Sequence, residues 1–337
     1  MADPIKEVRA TCERVMQDAR HVFLVDSEID SLAESMANDN DRALKLNGVS
    51  WDASGWHYCK DAEELGPQTC QYVFVLDALN FCFWPSENNL EYDIIAVALK
   101  LVLEKDPTAF DAQRLATLTS QQLAAWVPSH TLPEVEERTT RLNELGMALQ
   151  RNFQGLAANM VAAAQGSAVA LVSLVLQYIP GFRDTSVYRG CLVHFYKRAQ
   201  ILVGDIWAAY GKRTLPSAAE GETSTIAEEN PFAFFDMPRL TMFADYRVPQ
   251  LLRHVGALRY DTALAEAVDG LEEVPFGSAQ EVEIRAATVV AVERLRRALE
   301  KRGVALLSVE VDWLLWQVGE ESKDRIKPHH RTKTIYY

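Results

Sequence analysis

Residues 308–318 read Ser-Val-Glu-Val-Asp-Trp-Leu-Leu-Trp-Gln-Val, and this stretch decides the fold class. Placed on a helix, it is apolar on two faces, and a helix of that kind is buried. Asp312 and Gln317 share one of these faces with Val309, Trp313 and Trp316, so both polar side chains are expected to point into the interior. A buried carboxylate is unfavourable without a partner. Asp312 is therefore either a member of a structural ion pair or a group that binds a ligand.

Helical spacing continues through most of the chain. Residues 134–151 place apolar side chains on one stripe with charge opposite, and residues 280–302 end in a basic turn followed by Gly303, a typical stop signal. Residues 3–37 are also helical, interrupted by an apolar piece at 22–25. The sequence therefore predicts a mainly α fold that forms one globular unit over residues 1–337.

Three segments depart from this helical pattern. A polar connection occupies residues 38–50. The β-branched and aromatic composition of residues 72–84, which lead into a Pro-Ser-Glu-Asn turn, predicts a short strand or hairpin. Residues 211–238 are rich in Pro, Gly, Ser and Glu and predict an exposed loop, whose final aromatic residues are expected to dock on the body of the protein. These aromatic residues are Phe232, Phe234 and Phe235.

Charge and composition limit the partners. The net charge is −13 and no arginine- or lysine-rich block occurs, so a long phosphate backbone would be repelled and a stable nucleic-acid partner is not expected. A small anionic ligand remains possible, because a few local cations can hold one phosphate. The apolar stretch 156–179 is interrupted by polar residues and glycine, and we interpret it as buried helix and not as a membrane span.

The cysteines and the N-terminus indicate the compartment. Five cysteines are scattered without CxxC spacing, which predicts free thiols in a reducing compartment and no structural zinc. The first residues contain no apolar stretch of a secretory signal. The expected location is the cytoplasm, with the nucleus as a second one. The cysteines are Cys12, Cys59, Cys70, Cys82 and Cys191.

Two further segments place charge inside apolar runs. In residues 240–249, Asp245 lies between aromatic residues just ahead of a helix that Pro249 suits, so it is either a helix cap or a functional group. In residues 194–207, Lys197 and Arg198 open a helical stripe, where they either hold a phosphate or pair with neighbouring acids.

Smaller candidates are His57, beside Trp56, and Arg183. A lone histidine next to tryptophan is more often simply packed and hydrogen-bonded than functional. The sequence contains no GxxxxGK[ST], GxGxxG, GxSxG or HExxH, so the P-loop, dinucleotide-binding, serine-hydrolase and zincin classes lack their motifs.

Taken together, the segments resemble the queuosine salvage family of queuosine 5′-phosphate N-glycosylase/hydrolases. The similarity is carried by several ordered stretches that extend to the last residue. They are Phe74–Trp84 (FVLDALNFCFW), Phe195–Val203 (FYKRAQILV), Thr241–Gln250 (TMFADYRVPQ), Gln280–Arg285 (QEVEIR), Val311–Trp316 (VDWLLW) and Ile335–Tyr337 (IYY).

The resemblance implies a mainly α fold related to helical DNA glycosylases, release of queuine from queuosine 5′-phosphate, and no metal or organic cofactor. It also implies that the base is bound by His57, Phe243, Asp245, Asp312 and Trp313. One position departs from the family, which commonly carries a proposed catalytic aspartate where this chain has Gln317. Glutamine supplies no negative charge, so another carboxylate is expected to act or the activity is expected to be reduced.

Roles for these residues follow from the chemistry of glycosidic cleavage. Positive charge develops at C1′, and we assign its stabilisation and the activation of water to Asp245. Queuine is a 7-deazapurine without a protonatable N7, so Asp312, with a raised pKa, is expected to act at another edge of the base. The remaining expectations are that Phe243 and Trp313 stack on the base, that His57 bonds a base edge or the side arm, that Lys197, Arg198 or Arg183 holds the phosphate, and that Gln317 bonds the ligand or the water.

Two other functions are compatible with the same residues. A protein that binds queuine or a related deazapurine without cleaving it is suggested by Gln317. A DNA-repair glycosylase is disfavoured by the charge of −13 and the absence of a basic groove.

Overall fold

The structure, a computed structural model, describes residues 3–38, 51–84, 90–214 and 230–337. The protein is mainly helical, as predicted, and forms a single globular unit with two small antiparallel sheets. The helices are α1 (Pro4–Asp18), α2 (Asp26–Asn38), α3 (Pro67–Leu79), α4 (Tyr92–Lys105), α5 (Ala112–Leu115), α6 (Ser120–Trp126), α7 (Val135–Asn152), α8 (Ala157–Ala163), α9 (Ala168–Tyr178), α10 (Lys197–Ala209), α11 (Arg247–His254), α12 (Thr262–Asp269), α13 (Ala279–Lys301) and α14 (Ser308–Ser322).

The two sheets are short and lie between helices. Strand β1 (Val22–Leu24) pairs antiparallel with β4 (Leu258–Tyr260), with Phe23 opposite Arg259. Strands β2 (Thr185–Tyr188) and β3 (Cys191–His194) form a hairpin. The apolar piece predicted within the first helical region is thus a strand that separates α1 from α2.

The longest helix, α13, runs through the core and packs against α1, α2, α11 and α14. Ser278 caps its start by accepting a hydrogen bond from the Glu281 N–H (3.2 Å), and Gly303 follows its end with φ +84°. The predicted limits of this helix and of α7 are confirmed to within one residue.

The prediction of a strand or hairpin at residues 72–84 is wrong. Residues 67–79 form α3, which begins with Pro67 at its first position, and residues 80–84 have no regular structure. Every side chain from Thr69 to Leu79 is buried. A helix enclosed on all sides has no polar stripe, so its sequence lacks the helical periodicity, and aromatic and β-branched residues then resemble a buried strand. The turn proposed after Trp84 lies outside the described residues.

The two predicted connecting segments, residues 38–50 and 211–238, extend beyond the described residues. Residues 39–50 of the polar connection and residues 215–229 of the loop lie outside the described residues. At the end of that loop, Phe232 and Phe234 are buried and Phe235 is half-buried, so the docking of this end is confirmed.

All five cysteines are free thiols, as predicted. Within the described ranges, no helix has the length and apolar character needed to cross a membrane.

A buried arginine connects several segments of the core. Arg285 of α13 donates two hydrogen bonds to the Asp184 carboxylate (2.6 and 2.9 Å) and one to the Ala244 carbonyl (3.0 Å). Its guanidinium lies 4.0 Å from the Phe195 ring centre and 4.4 Å from that of Tyr337. Arg285 therefore fixes the backbone directly before Asp245.

Candidate functional site

Asp245 and Asp312 lie on neighbouring elements at the centre of the site. Asp245 precedes α11, and its Oδ1 accepts hydrogen bonds from the N–H groups of Arg247 and Val248, both at 3.0 Å. Asp312 lies on α14, and its Oδ1 accepts a hydrogen bond from the Phe243 N–H at 3.0 Å. Both residues are almost fully buried. Asp312 thus fixes the segment that carries Phe243 and Asp245.

The charges of these two carboxylates interact with each other and with Lys197. Burial raises the pKa of Asp312 well above its usual range, and the charge of Asp245 raises it further. Burial also raises the pKa of Asp245, against the effect of Lys197. The pKa of Lys197 is lowered by its burial, although Asp245, Asp77 and Asp312 oppose this shift. The group can therefore hold a proton on one carboxylate while it keeps charge on another.

The structure adds two carboxylates that the sequence analysis did not single out. Asp77 of α3 and Asp205 of α10 are both buried. Burial raises the pKa of Asp77 to about 7. Burial, followed by the charge of Asp77, raises the pKa of Asp205 well above its usual range, while a hydrogen bond from Trp51 and the charge of Lys197 lower it. We call Asp77, Asp205, Asp245 and Asp312, together with Lys197, the acidic cluster.

Both residues could have been found by the reasoning that selected Asp312. Asp77 lies within Phe-Val-Leu-Asp-Ala-Leu and Asp205 within Leu-Val-Gly-Asp-Ile-Trp, so each carboxylate interrupts an apolar run. A charge in such a run is buried and needs a partner or a ligand.

Aromatic rings border the acidic cluster. A Cβ atom built on Gly204 of α10 would lie 3.0 Å from Cζ of Phe243 and 3.7 Å from Cζ2 of Trp313, so both ring edges lie against this glycine. Trp313 is stacked with Trp207 at a centroid distance of 6.3 Å. Lys212 lies over both indole rings, with Nζ 5.3 Å from the centre of Trp313. Planar aromatic faces of this kind suit a planar heterocycle.

His57 belongs to an aromatic wall next to the acidic cluster. Its ring stacks on Trp51 at 4.0 Å, its Nδ1 lies 3.1 Å from Asp52 Oδ1, and its Nε2 lies 3.0 Å from the Tyr92 hydroxyl. Burial lowers the pKa of His57 to about 4, against the effect of Asp52. His57 is therefore neutral at pH 7, and both ring nitrogens have protein partners. Trp51 links this wall to the acidic cluster through its hydrogen bond to Asp205.

Three candidate residues, Gln317, Arg198 and Arg183, have interactions that differ from those expected from the sequence. The expectation that Gln317 points inward is wrong, because its side chain is exposed and donates to Glu321 Oε1 at 3.3 Å. Arg198 is buried, but its Nη atoms donate to the carbonyls of Asp77, Ala78 and Gly181. Arg183 is exposed and donates to the carbonyls of Leu176 and Gln177. Of the three proposed phosphate ligands, Lys197 interacts with all four carboxylates of the acidic cluster, and Arg198 interacts electrostatically with Asp77.

No group of three or more histidine, cysteine, aspartate or glutamate side chains is arranged to hold a metal ion in the part of the chain that the structure describes. The site consists of buried carboxylates, one lysine and aromatic rings on a helical scaffold. Such a composition suits a planar small molecule with polar edges.

Comparison with known proteins identifies the family. Residues 57–337 match the family described as queuosine salvage protein. Relatives named queuosine 5′-phosphate N-glycosylase/hydrolase include those of Sphaerobacter thermophilus (40% identical, all of both chains), Dictyostelium discoideum (39%, 99% of this chain and all of the relative) and Bos taurus (31%, 99% of this chain and all of the relative). The chain belongs to the queuosine salvage protein family.

Proposed function

We propose that this protein hydrolyses the N-glycosidic bond of queuosine 5′-phosphate and releases queuine for salvage into tRNA modification. The observation that supports the proposal best is the meeting of Asp245 and Asp312 beside the edges of Phe243 and Trp313. The whole-length similarity to relatives named for this activity supports it as well. The expected location remains the cytoplasm.

Cleavage of the bond between the ribose and the base leaves positive charge at C1′. Asp245 stabilises this charge and orients the water whose oxygen bonds to C1′, so that ribose 5-phosphate forms. Lys197 and two backbone N–H groups favour the charged form of Asp245. The base leaves with the bonding electron pair and needs a proton in exchange.

Asp312 is suited to supply that proton. Burial and the neighbouring Asp245 keep it protonated to a higher pH than an ordinary aspartate. After the reaction, the proton released by the water restores it. Phe243 and Trp313 stack on the base, and Lys197 is the candidate ligand of the 5′-phosphate. Gln317, at the exposed end of this face of α14, is at most a ligand of the outer part of the substrate.

The decisive variant is Asp245→Asn, with Asp261→Asn as its matched control. Both aspartates accept backbone hydrogen bonds at the start of a helix. Asp245 does so at α11, and at α12 Asp261 Oδ1 accepts a hydrogen bond from the Leu264 N–H at 2.7 Å. Asparagine caps helices about as well as aspartate, so both variants should fold. Asp245→Asn should lose at least ~100-fold of the rate of queuine release, as expected for the loss of an electrostatic stabiliser. Asp261→Asn should retain the rate.

Chromatography of the products after incubation with queuosine 5′-phosphate provides the measurement. Unchanged turnover in Asp245→Asn would reject the assigned role. Recovery of intact nucleotide from the unmodified protein would favour the alternative, a protein that binds the deazapurine without cleaving it.

A further inference from the structure

The mechanism above leaves two buried carboxylates without a role. Asp77 Oδ1 accepts a hydrogen bond from the Asn80 side chain at 3.3 Å, whereas its Oδ2 is buried and has no hydrogen-bond partner among the described residues. Asp205 receives a hydrogen bond from Trp51. A buried carboxylate oxygen without a donor is unfavourable, because it loses its hydrogen bonds to water and gains none in return. A donor on a bound ligand would remove this penalty.

The acidic cluster also has too little positive charge. Its four acids interact with Lys197, while the neighbouring cations have other partners. Arg198 directs its Nη atoms to backbone carbonyls, and Arg247 donates to Glu320 and Gln250. Neither adjoining titratable group adds positive charge at neutral pH. Burial lowers the pKa of His57 to about 4, so its ring is neutral. Burial raises the pKa of the Tyr92 hydroxyl, which is neutral as well. The site therefore favours a ligand that brings a cation.

The proposed substrate carries such a cation. Queuine has an aminomethyl arm on its deazapurine ring, and the secondary amine of this arm is protonated near neutral pH. Resting on the proposed function, we infer that Asp77 and Asp205 bind the ammonium group of this arm and so select substrates that carry it. Asp245 and Asp312 are less suited to the ammonium, because their Oδ1 atoms already accept backbone N–H groups beside Phe243.

A ligand hydroxyl could also donate to Asp77 Oδ2, but it would leave the negative charge of the cluster unchanged. Charge-assisted hydrogen bonds are roughly twice as strong as neutral ones. The ammonium would also favour the ionised form of Asp77, whose pKa of about 7 makes ionisation near neutral pH easy.

The test compares two ligands that differ in the amine: queuine and 7-methyl-7-deazaguanine. Their affinities are measured by titration calorimetry for the unmodified protein, Asp205→Asn, Asp77→Asn and the control Asp261→Asn. The unmodified protein should prefer queuine by at least ~10-fold, which is about 1.4 kcal/mol. Asp205→Asn and Asp77→Asn should each lose most of this preference, while they bind the amine-free base within ~2-fold of the unmodified protein.

Equal weakening of both ligands, or an unchanged preference in both variants, would overturn the inference. If Asp205→Asn does not fold, Asp77→Asn decides the outcome. The result is separate from the proposed function, since base binding needs no turnover. Cleavage of queuosine 5′-phosphate without an amine preference would reject the inference alone, and an amine preference without cleavage would reject the proposed function alone.

Discussion

Replacement of Arg285 by alanine tests how the core supports the site. The Arg285 side chain is fully buried, forms a bidentate pair with Asp184 and lies 3.6 Å from Glu281 Oε1. Its removal leaves two buried acids without their cation. Loss of one partner of a buried pair destabilises a protein by about 3–5 kcal/mol. The lost bond to the Ala244 carbonyl should also loosen the backbone before Asp245.

Arg114→Ala is the matched control. Arg114 pairs with Asp106 at 2.6 Å, but both side chains are about half exposed, and such surface pairs contribute little to stability. Urea denaturation followed by circular dichroism gives the free energy of unfolding of both variants. If Arg285→Ala loses no more stability than Arg114→Ala, the buried pair does not hold the core together and our account of the segment before Asp245 is wrong.

Three other predictions concern the site. Gly204→Ala should keep its thermal stability, because the gain in helix propensity offsets the contact with Phe243 at 3.0 Å, while calorimetry should show weaker binding of queuine. Gln317→Asp should leave the rate of queuine release within ~2-fold, since that side chain is exposed, and a larger gain would mean that position 317 acts on the substrate. The value of kcat/KM should fall as pH rises through the raised pKa of Asp312, because only its protonated form donates. A pH series in which Asp312→Asn keeps the same decline would assign it to another group.

The sequence predicts helices that have one solvent-facing side and fails for α3, which has none. Helix α7 has one apolar and one charged face, and its predicted limits agree with the structure to within one residue. Helix α3 is enclosed between α7, α8 and α10, so nothing in its sequence separates an inner from an outer face. Hydrophobic periodicity reveals a helix through the difference between its buried and its solvent-exposed face, and α3 has no exposed face between Thr69 and Leu79.

The error at Gln317 has a related cause. Gln317 follows Asp312 by five residues, which on a helix is about 140° around the axis, so the two side chains lie at opposite edges of the face that contains Trp313 and Trp316. The edge with Asp312 is buried and the edge with Gln317 is exposed to solvent. For Asp77 and Asp205, an apolar run around each carboxylate predicts burial, but the sequence does not show that they meet, because this depends on the packing of α3 against α10.

Asp245 shows why a structural role and a functional role need not be alternatives. The sequence allowed it to be a helix cap or a ligand group, and the structure shows the cap. Both backbone bonds fall on Oδ1, so the cap does not need Oδ2. Two fixed N–H groups therefore hold the carboxylate in one orientation, and the same N–H groups favour its charged form against burial. A group that must meet charge at C1′ without rearranging benefits from such fixation. The cap is then the device that would make Asp245 effective in the reaction, and Arg285 and Asp312 hold the segment in which it forms.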